Sequence, residues 1–143
     1  MDLVIGVGNR WRGDDGVGCA VVEALPARTG VETLAVHQLV PELAERIHLA
    51  RRVLFVDASI DAQEISLHRV EPSPQRGLGH ACSPGGLLAW TAQAYGARPN
   101  AWLLEVPAAT FDVGERLSPD VERRLPETVA AVTAWLDREP GAG

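Results

Sequence analysis

Apolar and polar positions alternate in blocks along this chain of 143 residues. "LVIGV" (3–7) is continuously apolar and ends near glycine, the pattern of a strand buried on both faces. From Asp15 onward, apolar residues fall at Val17, Ala20, Val21, Ala24 and Leu25. That i, i+3, i+4, i+7, i+8 stripe predicts an amphipathic helix, closed by Pro26. "VETLAVHQL" reads as a second strand, and "PELAERIHLARR" as a second helix with Pro41 at its first position and Leu43, Ala44 and Ile47 facing in. "RVLFVDA" (52–58) is the clearest buried strand, expected to stop at Asp57.

The next apolar segment, "EISLHRV" (64–70), follows after about six residues, fewer than the dozen a parallel crossover needs. A fourth strand antiparallel to the third, and hence a mixed sheet, is the expectation. A loop rich in proline and glycine (72–82) leads to Ser83 and Pro84, an N-cap and first helical residue. The predicted helix buries Leu87, Leu88, Thr91, Ala94 and Tyr95 and stops at Gly96. "AWLLEV" (101–106) is a fifth strand ended by Pro107. The last helix starts at Ser118–Pro119 and runs to about Asp137, with Val121, Leu125, Val129, Val132 and Leu136 inward and a kink or break expected at Pro126. Strands alternating with helices predict a three-layer α/β sandwich built on a mixed, mostly parallel five-stranded sheet, as one domain over 1–143. Ligands bind such sheets outside the carboxyl ends of the strands.

Composition narrows the function classes. With 46% hydrophobic and 22% charged residues, the chain is too apolar for disorder, and no apolar run approaches a membrane span. "MDLVIGVGNR" lacks the basic start and apolar length of a signal peptide, so a cytoplasmic protein is expected. Cys19 and Cys82 form neither a disulfide framework nor a CxxC site. A net charge of -6 argues against nucleic-acid binding by bulk electrostatics, and no membrane partner is expected either.

The densest candidate chemistry is "GVGNRWRGDDGVG" (6–18), at the end of the first predicted strand. A dinucleotide fingerprint requires G-x-G-x-x-G; Gly6 and Gly8 fit, but the third position is Trp11. No Gly-Lys-Ser/Thr follows, so a P-loop fails too, and Asp14 and Asp15 would repel a phosphate. The glycines therefore suit a tight turn and close backbone approach, with the carboxylates facing a cation. Taken alone, Asp14 reads as an ordinary N-cap and Asp15 as a favourable first-turn acid. Arg10, Trp11 and Arg12 read either as a solvated loop or as a protein interface. Asp57, after a run of apolar residues, is a carboxylate at the rim of a core and needs a partner. His80, in its loop, is by itself most simply an exposed histidine, and Cys82 a small semi-buried residue before the Ser83 cap.

The pattern G-x-G-N-x-x-x-x-D-D-G-x-G, here Gly6, Gly8, Asn9, Asp14, Asp15, Gly16 and Gly18, resembles the N-terminal signature of the hydrogenase maturation proteases. These endopeptidases trim the C-terminal extension from the large subunit of nickel–iron hydrogenases. The similarity continues through "HQLVPELAERI", "VLFVDA" and "HACSPGGLLA", in order, over about the first hundred residues. It implies a phosphorylase/hydrolase-like mixed sheet flanked by helices, and a trio of Asp15, Asp57 and His80 that contacts metal and carries the catalysis. Some relatives have glutamate in place of Asp15, and better-known members carry glycines where this chain has His37–Gln38. Asn9, Asp14, His37 and Gln38 are the expected substrate contacts; His37, Gln38 and Glu42 read either as lining the same cleft or as the start of a helix. Two carboxylates and an imidazole form an O,O,N set with open positions, suited to nickel, zinc or iron. The resemblance implies nickel, carried in by the precursor of the hydrogenase large subunit rather than held permanently. A non-catalytic metal-dependent binding module or chaperone on the same fold is the alternative.

Overall fold

The computed structural model describes residues 1–74 and 82–138. Five strands form one sheet: β1 (Asp2–Val7), β2 (Val31–Val36), β3 (Arg52–Ser59), β4 (Ser66–Val70) and β5 (Asn100–Pro107). Their spatial order is β2-β1-β3-β5-β4. The first three and β5 run parallel, while β4 pairs antiparallel with β5 at the edge. Helices α1 (Val17–Ala24) and α4 (Pro119–Asp137) cover one face, and α2 (Ala44–Ile47) and α3 (Pro84–Tyr95) the other. Val4, Leu54, Val56 and Leu104 point into the first core, where Trp135 is the largest buried side chain; Leu3, Ile5, Val53 and Phe55 point into the second. Period-two alternation along fully buried strands thus feeds two separate apolar layers. The expected mixed three-layer sandwich is present. Among the described residues, no helix is long and apolar enough to cross a membrane.

Several elements differ in detail from expectation. The fourth strand runs opposite to β3 but does not touch it, because β5 lies between them. Connection length constrains direction and says nothing of a strand that arrives later in the chain. β3 continues two residues past Asp57, since β5 still pairs with Ala58 and Ser59 after β1 has ended its ladder at Val56. The second helix is only Ala44–Ile47, preceded by a 3₁₀ turn at Pro41–Leu43, and β2 ends at Val36 before His37. Ala94 and Tyr95 are exposed rather than inward, and the Tyr95 ring stacks on His48 with centroids 4.1 Å apart. Pro126 neither ends nor splits α4. Its missing N–H leaves the Glu122 carbonyl without its helical donor, and both residues are exposed to solvent, where such a gap costs little.

The helix α1 lies unusually close to the sheet. A Cβ on Gly18 would sit 2.4 Å from the Val56 carbonyl oxygen, and one on Gly6 would sit 2.2 Å from that of Gly18. Close helix–strand packing, the task of the third glycine in a dinucleotide fingerprint, is done here by Gly6 and Gly18. It brings the turn before α1 down onto the carboxyl ends of β1 and β3.

Candidate active site

The chain leaves β1 through Gly8, whose φ of +145° lies where residues with a Cβ are strained. A Cβ there would also stand 1.8 Å from the Asp15 carbonyl oxygen, so only glycine lets the turn fold back this far. The turn then fastens itself. The Asn9 amide donates to Asp15 Oδ2 at 2.9 Å, and Asn9 Oδ1 accepts from the Trp11 amide at 2.9 Å. Asn9 is therefore a residue that orients Asp15 through its backbone while shaping the loop with its side chain. Asp15 lies in a 3₁₀ turn, Gly13–Gly16, that precedes α1. It is half-buried, and its Oδ1 has no hydrogen-bond donor among the described residues.

Asp14, its neighbour, has a different fate. It is fully buried, and its carboxylate accepts from the amides of Ala109 (2.7 Å), Thr110 (3.1 Å) and Ser118 (2.6 Å) and from the Ser118 hydroxyl (2.9 Å). Burial pushes this carboxyl up, but the four donors hold it below its ordinary value. Asp14, expected among the substrate contacts, has its acceptors occupied inside the protein, where the side chain ties the segment 109–118 to the glycine loop. The ordinary N-cap role is not its role either, for it caps nothing in its own helix.

Asp57 stands where β3 loses β1 as a neighbour and keeps β5. Its parity along the strand is that of Val53 and Phe55, so it lies on the α2–α3 face, at the rim above that core. Oδ1 accepts from the following Ala58 amide at 2.9 Å, and no basic side chain pairs with it among the described residues. Burial, with added repulsion from Asp15 and Glu105, pushes its carboxyl up to about 6; the Ala58 N–H opposes this only in part. The Gly13–Gly16 turn that carries Asp15 packs against β3, which carries Asp57, so the fold brings close two carboxylates 42 positions apart in the chain. Sequence reasoning missed Glu105, which the register places directly beside Asp57 on the neighbouring strand. Its Oε1 lies 3.1 Å from His68 Nε2, which is also 2.9 Å from Ser66 Oγ. Glu105 was visible as the one charge interrupting an apolar run, but its pairing with Asp57 depends on register. A cavity of about 520 Å³, lined by Ser59, Gln63, Ser66 and Glu105 among others, opens on this side.

His37 and Gln38 are exposed in the bend after β2. His37 lines a second cavity, of about 190 Å³, together with Gly8, Trp11, Cys19 and Val36. No hydrogen bond ties His37 or Gln38 to Asp15 or Asp57 among the described residues. His80 lies outside the described residues. Within them, no group of three His, Cys, Asp or Glu side chains is placed to hold a metal ion. What the described site offers a cation is therefore a pair of carboxylates with spare oxygens, Asp15 and Asp57, and room for further donors.

Comparison with known proteins places the fold. No family model matches the sequence, and no curated protein matches it. Among solved structures, the chain is similar to the hydrogenase maturating endopeptidase HybD from E. coli, with a TM-score of 0.78 and 22% identity over 95% of this chain and 91% of the other. It is also similar to a hydrogenase 2 maturation peptidase from a Thaumarchaeota archaeon, with a TM-score of 0.71 and 24% identity over 97% and 99% of the two chains. A third similar structure is the nickel–iron hydrogenase maturation protease HybD from Thermococcus kodakarensis, with a TM-score of 0.74 and 21% identity over 94% and 98%. The chain thus has the fold of the hydrogenase maturation endopeptidases, spanned nearly end to end.

Proposed function

We propose that this protein is a hydrogenase maturation endopeptidase of the cytoplasm, removing the C-terminal extension from the nickel-loaded precursor of a hydrogenase large subunit. The observation that carries this reading is the pairing of Asp15 and Asp57. In a fold shared with such endopeptidases, Asp15 and Asp57, two members of the trio the resemblance implies, lie on elements packed together at the carboxyl end of the sheet, and neither has a cationic partner among the described residues. Two like charges held together and left unneutralised favour a cation between them. That cation is the nickel of the substrate, with His80 as the third contact; this protein then needs no resident metal.

Asp15 and Asp57 divide the ligand and base roles between them. A carboxylate oxygen not engaged with the metal takes a proton from the attacking water as its oxygen bonds to the scissile carbonyl carbon. The proton is then given to the departing amine as the C–N bond breaks. Recognition and chemistry share the same residues, so a precursor without nickel presents nothing for them to hold.

The test mixes the protein with precursor, loaded or free of nickel, and follows the C-terminal fragment on a gel. Cleavage of the loaded form alone is expected. Equal cleavage of both forms removes nickel recognition, and stable binding without any shortening makes the protein a chaperone instead.

A further inference from the structure

The two edges of the sheet are built differently. The outer strand β4 carries exposed His68 and Arg69, and Arg69 is tied to Asn100 and Glu71. Charges of this kind guard an edge against pairing. At the other edge, β2 reads Val-Glu-Thr-Leu-Ala-Val, and its one charge, Glu32, is engaged by Arg46. Gly30 and Val36 direct their carbonyls inward, accepting from the amides of Asp2 and Gly8 at 2.8 and 3.0 Å. Alternation then turns the main-chain groups of Thr33 and Ala35 outward. Both residues are exposed, and among the described residues nothing bonds to their outward N–H and C=O groups.

This open edge leads to the site. At its carboxyl end, Ala35, Val36 and His37 line the cavity of about 190 Å³ that Gly8 and Trp11 close from the other side. Gly8 is the residue whose backbone rests on Asp15. A peptide added beyond β2 would lie about 10 Å from β1, a distance that three extended residues cross. An endopeptidase acts on extended backbone, and backbone N–H and C=O groups are what an open strand edge reads.

We infer that the outer edge of β2 is a docking strand: an extended segment of the precursor, flanking its scissile bond, pairs with Thr33 and Ala35 and crosses the His37 cavity to reach Asp15. This rests on the endopeptidase reading. Affinity comes from main-chain hydrogen bonds at Thr33 and Ala35, so side-chain changes there that keep the N–H matter little.

Proline removes the outward donor and is tolerated on edge strands. Cleavage of nickel-loaded precursor by Ala35→Pro and Thr33→Pro should show KM raised about tenfold, with kcat within about twofold. A wild-type KM in both proline variants overturns the docking strand and leaves the endopeptidase reading standing, whereas absence of cleavage by the wild-type protein overturns that reading itself. Sedimentation provides a further check: a wild-type dimer that Ala35→Pro converts to monomer would mean that a second copy occupies the edge, against the proposal. Should the proline variants fail to fold by circular dichroism, amide exchange in the wild-type protein decides. Slowed exchange at Thr33 and Ala35 on adding precursor supports docking; unchanged exchange refutes it.

Discussion

The two ends of the sheet treat their carboxylates in opposite ways. At the amino end, Asp2 is 5% exposed and meets Arg52 in a fork, with Nε 3.1 Å from Oδ1 and Nη2 2.6 Å from Oδ2. Arg52 also donates to the carbonyls of Trp135 and Leu136 and lies 4.2 Å over the Trp135 ring, so it locks the end of α4 to the start of β1. Burial raises the Asp2 carboxyl, but the hydrogen bond and charge of Arg52, with Arg51 behind, hold it below its ordinary value. At the carboxyl end, Asp57 is buried enough to suffer the same penalty and has no such rescue. One end resolves its charge internally and gains a rigid base; at the other, Asp57 has no cationic partner among the described residues.

The comparison is broken most directly by neutralising each end in turn. Asp57→Asn keeps the shape of the side chain and the Ala58 contact to an oxygen, yet removes the charge that either proposed role, ligand or base, requires. Precursor cleavage should fall about a thousandfold, measured as initial rate on gels, while circular dichroism stays unchanged. Full activity in that variant would take Asp57 out of the site. Arg52→Met is the opposite case. It strands the Asp2 carboxylate in a buried position and should cost about 3–5 kcal/mol in urea unfolding, with the cleavage rate of the folded fraction unaltered. An activity loss larger than the loss of folded protein would tie the two ends together in a way their separation across the sheet does not predict.

How much of this was legible beforehand depended on how local each cause is. The strand at 52–58 and the turn at 6–18 declare themselves through runs of neighbouring residues, and the N-cap at Ser83 and the stop at Gly96 rest on single residue types. Ser83 Oγ accepts from the Gly86 amide at 3.0 Å, and Gly96 takes φ of +69°, as those types predict. Asp57 could be picked out because a carboxylate following an apolar run is costly without a reason, whereas Asp15 stood out through its glycine frame and the resemblance. Asp14 could not be separated from Asp15, because the donors that consume it come from residues 109–118, about a hundred positions away. Glu105 was hidden for a related reason: only the β3–β5 register, Asp57 opposite Glu105, makes it a neighbour. The same inserted strand separates β4 from β3, to which it runs antiparallel as expected.

The smallest effect tests the comparison most finely, because it concerns stability alone. The Asp57 carboxyl titrates at about 6 in the folded protein, above its ordinary 3.8. Below the lower value both states hold the proton, and the fold bears no charge penalty. As pH rises between the two values, the unfolded chain ionises first, so stability falls, and the loss is complete once the folded carboxyl has ionised too. Asp57→Asn has no proton to lose. Its melting temperature should therefore match wild type near pH 4 and exceed it by a few degrees above about pH 7, corresponding to about 1–2 kcal/mol for a partly solvated group. Asp2→Asn should do the reverse, because a carboxyl held below its ordinary value stabilises the fold at neutral pH and loses that contribution as pH falls. Two asparagine substitutions with the same pH response would mean that the open end of the sheet is as well compensated as the closed one.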